Sequence, residues 1–271
     1  MSLYERTHAT AAFLKERTKI DPEIGIILGS GLGELTELVE VDAEIPYEDI
    51  PDFPRSTVEG HLGKLIFGKL HGKQIMMYAG RFHYYEGYHM EQVTYPIRIM
   101  QALGAHTLIA SNACGSMNAK HKVGDIMVVD DHINLFPEHP LRGPNDDRLG
   151  IRFPDMTEPY DKGLIKLALT IGKEQGLKLS TGTDAGLTGP TFETPAEYKW
   201  LGVMGADVVG MSTVPETIVA RHAGIKVFAA SVITDIGLPG HGPITHEEVL
   251  EAANAAAPKL AKLVAAMVER M

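Results

Sequence analysis

The run Ile24-Gly25-Ile26-Ile27-Leu28 leads without a break into Gly29-Ser30-Gly31-Leu32-Gly33, and no other stretch limits the fold so strongly. A short apolar run bounded by glycine reads as a strand buried on both faces, the situation of a parallel strand in an α/β sheet. Alternating glycines behind it let the backbone turn sharply and bring its N–H groups against something small. With the Ser30 hydroxyl at its centre, such a turn suits an anionic oxygen cluster such as phosphate. It suits a strand–turn–helix junction without a ligand equally well. Two other nucleotide sites fit worse: Glu34 stands where the third glycine of G-x-G-x-x-G belongs, and no Lys-Ser/Thr pair follows as a P-loop requires.

Composition narrows the partners. At 271 residues the chain has the length of one large α/β domain spanning 1–271, with 44% hydrophobic and 22% charged residues. A net charge of −10 argues against a nucleic-acid or anionic-membrane partner, so any phosphate must be held by a few placed groups. Cys114 is the only cysteine, which excludes an internal disulfide and suits a reducing cytoplasm. Residues 1–19 include Glu5, His8 and Glu16 and lack the apolar core of a signal peptide. No apolar run approaches the length of a bilayer span. The expectation is a soluble, cytoplasmic, single-domain protein.

Along the chain, apolar spacing predicts an opening helix over 3–19, closed by Asp21-Pro22, and a short helix over 32–39. Residues 64–70 and 73–79 read as a β-hairpin about His71-Gly72. Met90, Val93, Ile97, Met100 and Leu103 keep helical spacing, with Pro96 kinking or delaying that helix. Strands are predicted at 107–111, 125–129, 178–187, 207–209 and 225–234, and helices at 162–176, 195–204, 215–224 and from Thr245 onward. Residues 134–160 read as a long loop, usually functional or part of an interface, and glycine-rich 237–243 as a mobile cover.

Three further constellations carry chemistry. In Gly210-Met211-Ser212-Thr213-Val214-Pro215-Glu216, Thr213 and Glu216 have capping-box spacing. The helix start there favours an anion facing the Ser212 hydroxyl, unless Ser212 is a cap and nothing more. In Gly80-Arg81-Phe82-His83, Arg81 and His83 share one side of an extended segment. Arg81 offers a bidentate fork for phosphate and His83 a pH-dependent donor, although an arginine at a strand end is otherwise a solvated charge. In Phe192-Glu193-Thr194-Pro195-Ala196-Glu197, Thr194, Pro195 and Glu197 define a helix start and leave Glu193 on a pinned loop. An aromatic beside a carboxylate suits a planar heterocycle with N–H donors, and an exposed glutamate ahead of a helix is the plain alternative. The twelve histidines form no H-E-x-x-H and no Cys/His spacing, so no metal site is expected.

Together with Pro140-Leu141-Arg142-Gly143-Pro144-Asn145-Asp146 and His246-Glu247-Glu248-Val249, and in this order, these motifs resemble the trimeric purine nucleoside phosphorylases over nearly the whole chain. The resemblance implies a one-domain α/β fold with a mixed, distorted central sheet flanked by helices, assembled as a homotrimer. It implies phosphorolysis of purine (deoxy)nucleosides to free base and (deoxy)ribose 1-phosphate, with inorganic phosphate as co-substrate and no metal or organic cofactor. By resemblance, Ser30, His61, Arg81, His83, the Ala113 N–H and Ser212 hold phosphate. Tyr85 and Met211 touch the ribose and His246 its 5′-hydroxyl, while Phe153 reaches into a neighbour's site. Phe192 packs on the base, and Glu193 binds its N1 edge. His83, Glu193 and Asp235 are the expected catalytic groups.

Two departures stand out. Cys114 and Ser116 replace the family's usual alanine and glycine, a small change if Ala113 acts through its backbone. Asp235 replaces the asparagine of 6-oxopurine-specific members. The related methylthioadenosine phosphorylases carry aspartate there but lack a counterpart of Glu193, so they form the alternative reading; a nucleoside-binding sensor without turnover is a third. Two carboxylates facing one purine should push at least one pKa upward. A protonated Asp235 can donate to O6 and N7, whereas an ionised one accepts from a 6-amino group. Broader specificity than in members with asparagine is therefore expected, with preference for adenosine over inosine rising with pH.

Overall fold

Four residues suffice for the first strand because both of its edges are covered. In the computed structural model, which describes residues 1–29, 33–58, 62–238 and 242–271, strand β1 (Ile24–Ile27) is fully buried. It lies between β4 (Lys73–Ala79) and β5 (Thr107–Ser116), parallel to both, as its apolar run predicts. The expected hairpin joins β3 (Lys64–Leu70) to β4 through His71 and Gly72, which have φ of 49° and 79°. Positive φ at both turn residues matches the twist of the flanking strands. An unforeseen edge strand, β2 (Glu40–Pro46), pairs antiparallel with β3. Its signal was present as the alternation Glu40-Val41-Asp42-Ala43-Glu44-Ile45.

The remaining strands are β6 (Ile126–Asn134), β7 (Leu179–Gly186), β8 (Val208–Gly210) and β9 (Lys226–Ile236). They complete a nine-stranded mixed sheet in the order β2-β3-β4-β1-β5-β8-β7-β6-β9, and β9 also pairs with β5. That pairing closes half of the sheet on itself, which is the expected distortion. It also explains why β5 runs to Ser116 instead of ending near residue 111. Strand β9 accompanies β5 from Thr107 to Ser116, whereas β1 stops opposite Ala110 and β8 joins only at Gly115. Between those partners a cleft opens over Ser111–Cys114, outside the carboxyl ends of parallel strands where ligands bind in α/β sheets.

Apolar residues of α1 (Leu3–Lys15), α3 (Tyr95–Leu103) and α6 (Val214–His222) fill one face of the sheet. Those of α4 (Lys162–Glu174) and α7 (His246–Arg270) fill the other. Helix α1 ends before residue 19 because Thr18 Oγ1 and Lys19 N donate to the Asp42 carboxylate at 2.8 and 2.9 Å instead of continuing the helix. Pro96 delays its helix as expected: α2 (Met90–Val93) stops at Thr94 before α3 begins. The predicted helix over 32–39 is a 3-10 helix, Gly33–Leu38. The long loop is docked through Arg98, whose guanidinium donates to the Leu149 carbonyl at 3.1 Å and lies 2.8 Å from His222 Nδ1. Within the predicted cover, residues 239–241 lie outside the described residues. No helix among the described residues is long and apolar enough to cross a membrane.

Candidate active site

The cleft over β5 is a cavity of about 520 Å³. Gly29 lines it at the end of β1, and a Cβ there would collide with the Ser111 carbonyl, so the close approach of β1 to β5 requires glycine. Arg81, delivered by β4, is 2% exposed. Its guanidinium pairs with Glu216 of α6 at 3.2 Å and donates to Ser212 Oγ at 3.0 Å and to the Ser111 carbonyl at 2.7 Å. The fork expected to face phosphate is therefore already anchored, because a guanidinium this deeply buried needs a counter-charge. Ser212 lies next to Thr213, whose φ of 66° and ψ of −51° place a β-branched residue in a strained conformation. Val214 N donates to the Ser212 carbonyl at 2.7 Å, closing a γ-turn that leads the Ser212 hydroxyl into the cavity at the start of α6. The predicted link from Thr213 N to Glu216 is present at 2.9 Å.

His83 is buried on the same wall, and burial lowers its pKa. Glu86 holds it twice, accepting from His83 N at 2.7 Å and lying 3.0 Å from Nδ1. Burial would raise the Glu86 carboxyl, but hydrogen bonds from His83 and Thr57 outweigh it and hold the pKa at about 2. Ala113, Tyr85, Met211 and His246 also line the cavity. Tyr85 stacks on His83 with ring centroids 4.7 Å apart.

A second chemistry faces the same space. Thr194 and Glu197 form the predicted capping box, with Thr194 N donating to the Glu197 carboxylate at 2.7 Å and Glu197 N to Thr194 Oγ1 at 3.2 Å. Helix α5 (Pro195–Met204) thus starts as expected and pins Phe192 and Glu193 at the cavity wall. Burial, with the charge of Asp235 adding to it, pushes the Glu193 carboxyl up to about 7. That is the raised carboxyl expected of two carboxylates sharing one pocket. Asp235, on β9, accepts from the Tyr198 hydroxyl at 2.7 Å and from Thr234 Oγ1 at 3.0 Å. Asp235 lies opposite Gly115, four positions along β5 from the carbonyl that Arg81 holds. At about 3.3 Å per strand residue that is a rise of about 13 Å along β5, which places the arginine and Asp235 toward different ends of the cleft.

The sequence pattern of the Phosphorylase superfamily matches residues 23–269. The purine nucleoside phosphorylase 1 of Geobacillus stearothermophilus is 49% identical, with 96% of each chain covered. The crystal structure of Schistosoma mansoni purine nucleoside phosphorylase in complex with adenosine superposes with a TM-score of 0.94 at 42% identity, covering 98% of this chain and 97% of that one. The structure of the same enzyme with inosine gives 0.92 at 41%, covering 98% and 96%. This chain belongs to the purine nucleoside phosphorylase family.

Of the residues that the family resemblance singled out, the cavity gathers Arg81, His83, Tyr85, Ala113, Phe192, Glu193, Met211, Ser212, Asp235 and His246. Ser30 and His61 lie outside the described residues. Phe153 does not line this cavity and is 84% exposed. Sequence reasoning gave no site role to Glu86, Asn112, Tyr198 or Thr234, which line the cavity, and gave Glu216 only a cap. Glu86 stands three residues after His83 and Glu216 in the Ser212 motif, so proximity could have flagged both. Tyr198 carried no local signal, since its partner Asp235 is distant in sequence.

Proposed function

We infer that this member of the family cleaves purine nucleosides with phosphate, releasing the base and ribose 1-phosphate. The observation that carries the reading is one cavity holding both an arginine–serine–histidine wall and a carboxylate-bearing wall beside an exposed aromatic, Phe192. Phosphate would lie against Arg81, His83, Ser212 and the Ala113 N–H, with Ser30 and His61 completing the cradle. Phe192 would pack on the purine, with Glu193 and Asp235 at its edge. Tyr85 and Met211 would bound the ribose, and His246 would meet its 5′-hydroxyl. A phosphate oxygen attacks C1′ as the C1′–N9 bond breaks and its electron pair leaves with the purine. The sugar becomes oxocarbenium-like, so an anion held beneath C1′ stabilises it while donors at the base stabilise the departing charge. This chemistry calls for no metal or organic cofactor.

The assembly we propose is a cytoplasmic homotrimer in which Phe153 enters a neighbouring site. Its exposure, next to exposed Ile151, supports the idea, because a large apolar side chain gains by being covered. The test of the activity is base release from inosine, adenosine and methylthioadenosine with and without phosphate. Phosphate-dependent release from inosine or adenosine is expected. Release without phosphate would identify a hydrolase, and release from methylthioadenosine alone would favour the aspartate-bearing relatives.

A further inference from the structure

Among the cavity positions to which the resemblance gives no role is Tyr198. Tyr198, on the first turn of α5, is buried with its hydroxyl against the Asp235 carboxylate. Two glycines admit it. A Cβ on Gly115 would collide with the Tyr198 hydroxyl, and a Cβ on Gly237 would fall within its ring. The phenol is therefore fitted into a slot between β5 and the end of β9, and the slot brings a donor to the carboxylate at the base edge.

The protons can be placed from the chemistry. A phenol is a far weaker acid than a carboxyl group, so the proton of a 2.7 Å Tyr198–Asp235 bond resides on the tyrosine and Asp235 is the acceptor. Thr234 Oγ1 lies 3.0 Å from the other Asp235 oxygen and 3.1 Å from the Cys114 carbonyl. The Thr234 hydroxyl has one proton for those two acceptors, so it is the Tyr198 donor that favours a negative Asp235. A negative Asp235 in turn disfavours a second charge on Glu193: burial, the Asp235 charge and Glu197 outweigh the opposing hydrogen bonds from the Glu193 backbone and the Tyr198 hydroxyl and raise the Glu193 carboxyl to about 7. The ionisable groups facing this pair are Glu197 from the same helix as Tyr198, Cys114 from β5 and His246 from α7.

We propose that Tyr198 is a positioning residue that holds Asp235 as a carboxylate and leaves the shared proton on Glu193, so that the site is matched to 6-aminopurine nucleosides. Adenine presents a 6-amino donor and an unprotonated N1 acceptor. A negative Asp235 accepts from the first and a protonated Glu193 donates to the second. Hypoxanthine presents the inverse pattern, O6 as acceptor and N1–H as donor, and needs the proton on the other carboxyl. The pH trend expected from the sequence is thereby reversed: as Glu193 loses its proton above pH 7, adenosine loses its partner at N1.

This assignment rests on the purine nucleoside reading above, and the experiment separates the two. Phosphate-dependent kcat/KM for adenosine and inosine is measured at pH 6, 7 and 8 on the wild type and on Tyr198→Phe, which keeps the ring that fills the slot. In the wild type the adenosine-to-inosine ratio is expected to fall across the series. In Tyr198→Phe it is expected to be about ten-fold lower at pH 6, with a flatter pH dependence, as loss of one hydrogen bond to a charged group implies. A purely structural role would depress both substrates alike and leave the ratio unmoved, and that result overturns the proposal. A wild-type ratio that stays flat or rises with pH overturns it too, without recourse to the variant. In either case continued cleavage of inosine leaves the phosphorolysis reading standing. Absence of phosphate-dependent release from both nucleosides would remove that reading and this one with it.

Discussion

Replacing Asp184 by asparagine is expected to stabilise this protein, by an amount that grows as pH rises from about 4 to 7. Asp184 sits on β7 with no exposed surface, and its one hydrogen bond among the described residues is a long one from Asn112 Nδ2 at 3.5 Å. The other carboxyl oxygen, Oδ1, has no partner there, and neither does Asn112 Oδ1. Burial raises the Asp184 pKa from 3.8 to about 7, against the smaller opposing effects of Asn112 and the Arg81 charge. Because the folded-state value is the higher one, the folded chain keeps a proton that the unfolded chain releases above pH 4. The resulting loss of stability accumulates from about pH 4 to pH 7 and is then constant, amounting to about 4 kcal/mol at 1.36 kcal/mol per pH unit. Asparagine is neutral throughout and escapes that loss, and its amide can donate to the vacant Asn112 oxygen. For a chain of this size, unfolding entropy converts about 4 kcal/mol into about 7 °C. The assay is thermal unfolding of both proteins at pH 4.5 and pH 8 at one protein concentration, since assembly alters apparent stability. A variant that is no more stable at pH 8, or that gains equally at both pH values, refutes the reasoning.

Other expectations concern the anion wall and the exposed loop. Ser212→Ala should raise the phosphate requirement and lower kcat/KM about ten- to a hundred-fold while the protein stays folded, the cost of one charge-assisted hydrogen bond; wild-type kinetics at low phosphate would displace the cradle. Glu216→Ala should destabilise the fold by about 3–5 kcal/mol in chemical denaturation, because it strands the buried Arg81 charge; a loss below about 1 kcal/mol would mean that Arg81 is solvated by other means. Phe153→Ala should lower turnover or substrate affinity without lowering monomer stability, since an exposed side chain contributes little to its own fold; unaltered kinetics would remove it from the neighbouring site.

What the sequence determined alone is what depends on neighbours along the chain. The apolar run of β1, the hairpin around His71-Gly72 and the Thr194–Glu197 box at α5 could all be read locally, and the structure has each. The motifs also carried the family, because their order along the chain survives without coordinates. Tertiary structure decided what depends on charge and solvent access. Whether Arg81 is a free fork or an anchored one turns on Glu216, 135 positions away. Whether Asp235 donates or accepts turns on Tyr198, 37 positions away and admitted by two glycines. Asp184 looks like any other strand aspartate until Asn112, 72 positions earlier, is seen to be almost its entire polar company. A residue's type sets which protons it can carry. Its burial and its partners set which of them it keeps, and those come from contacts that sequence order does not encode.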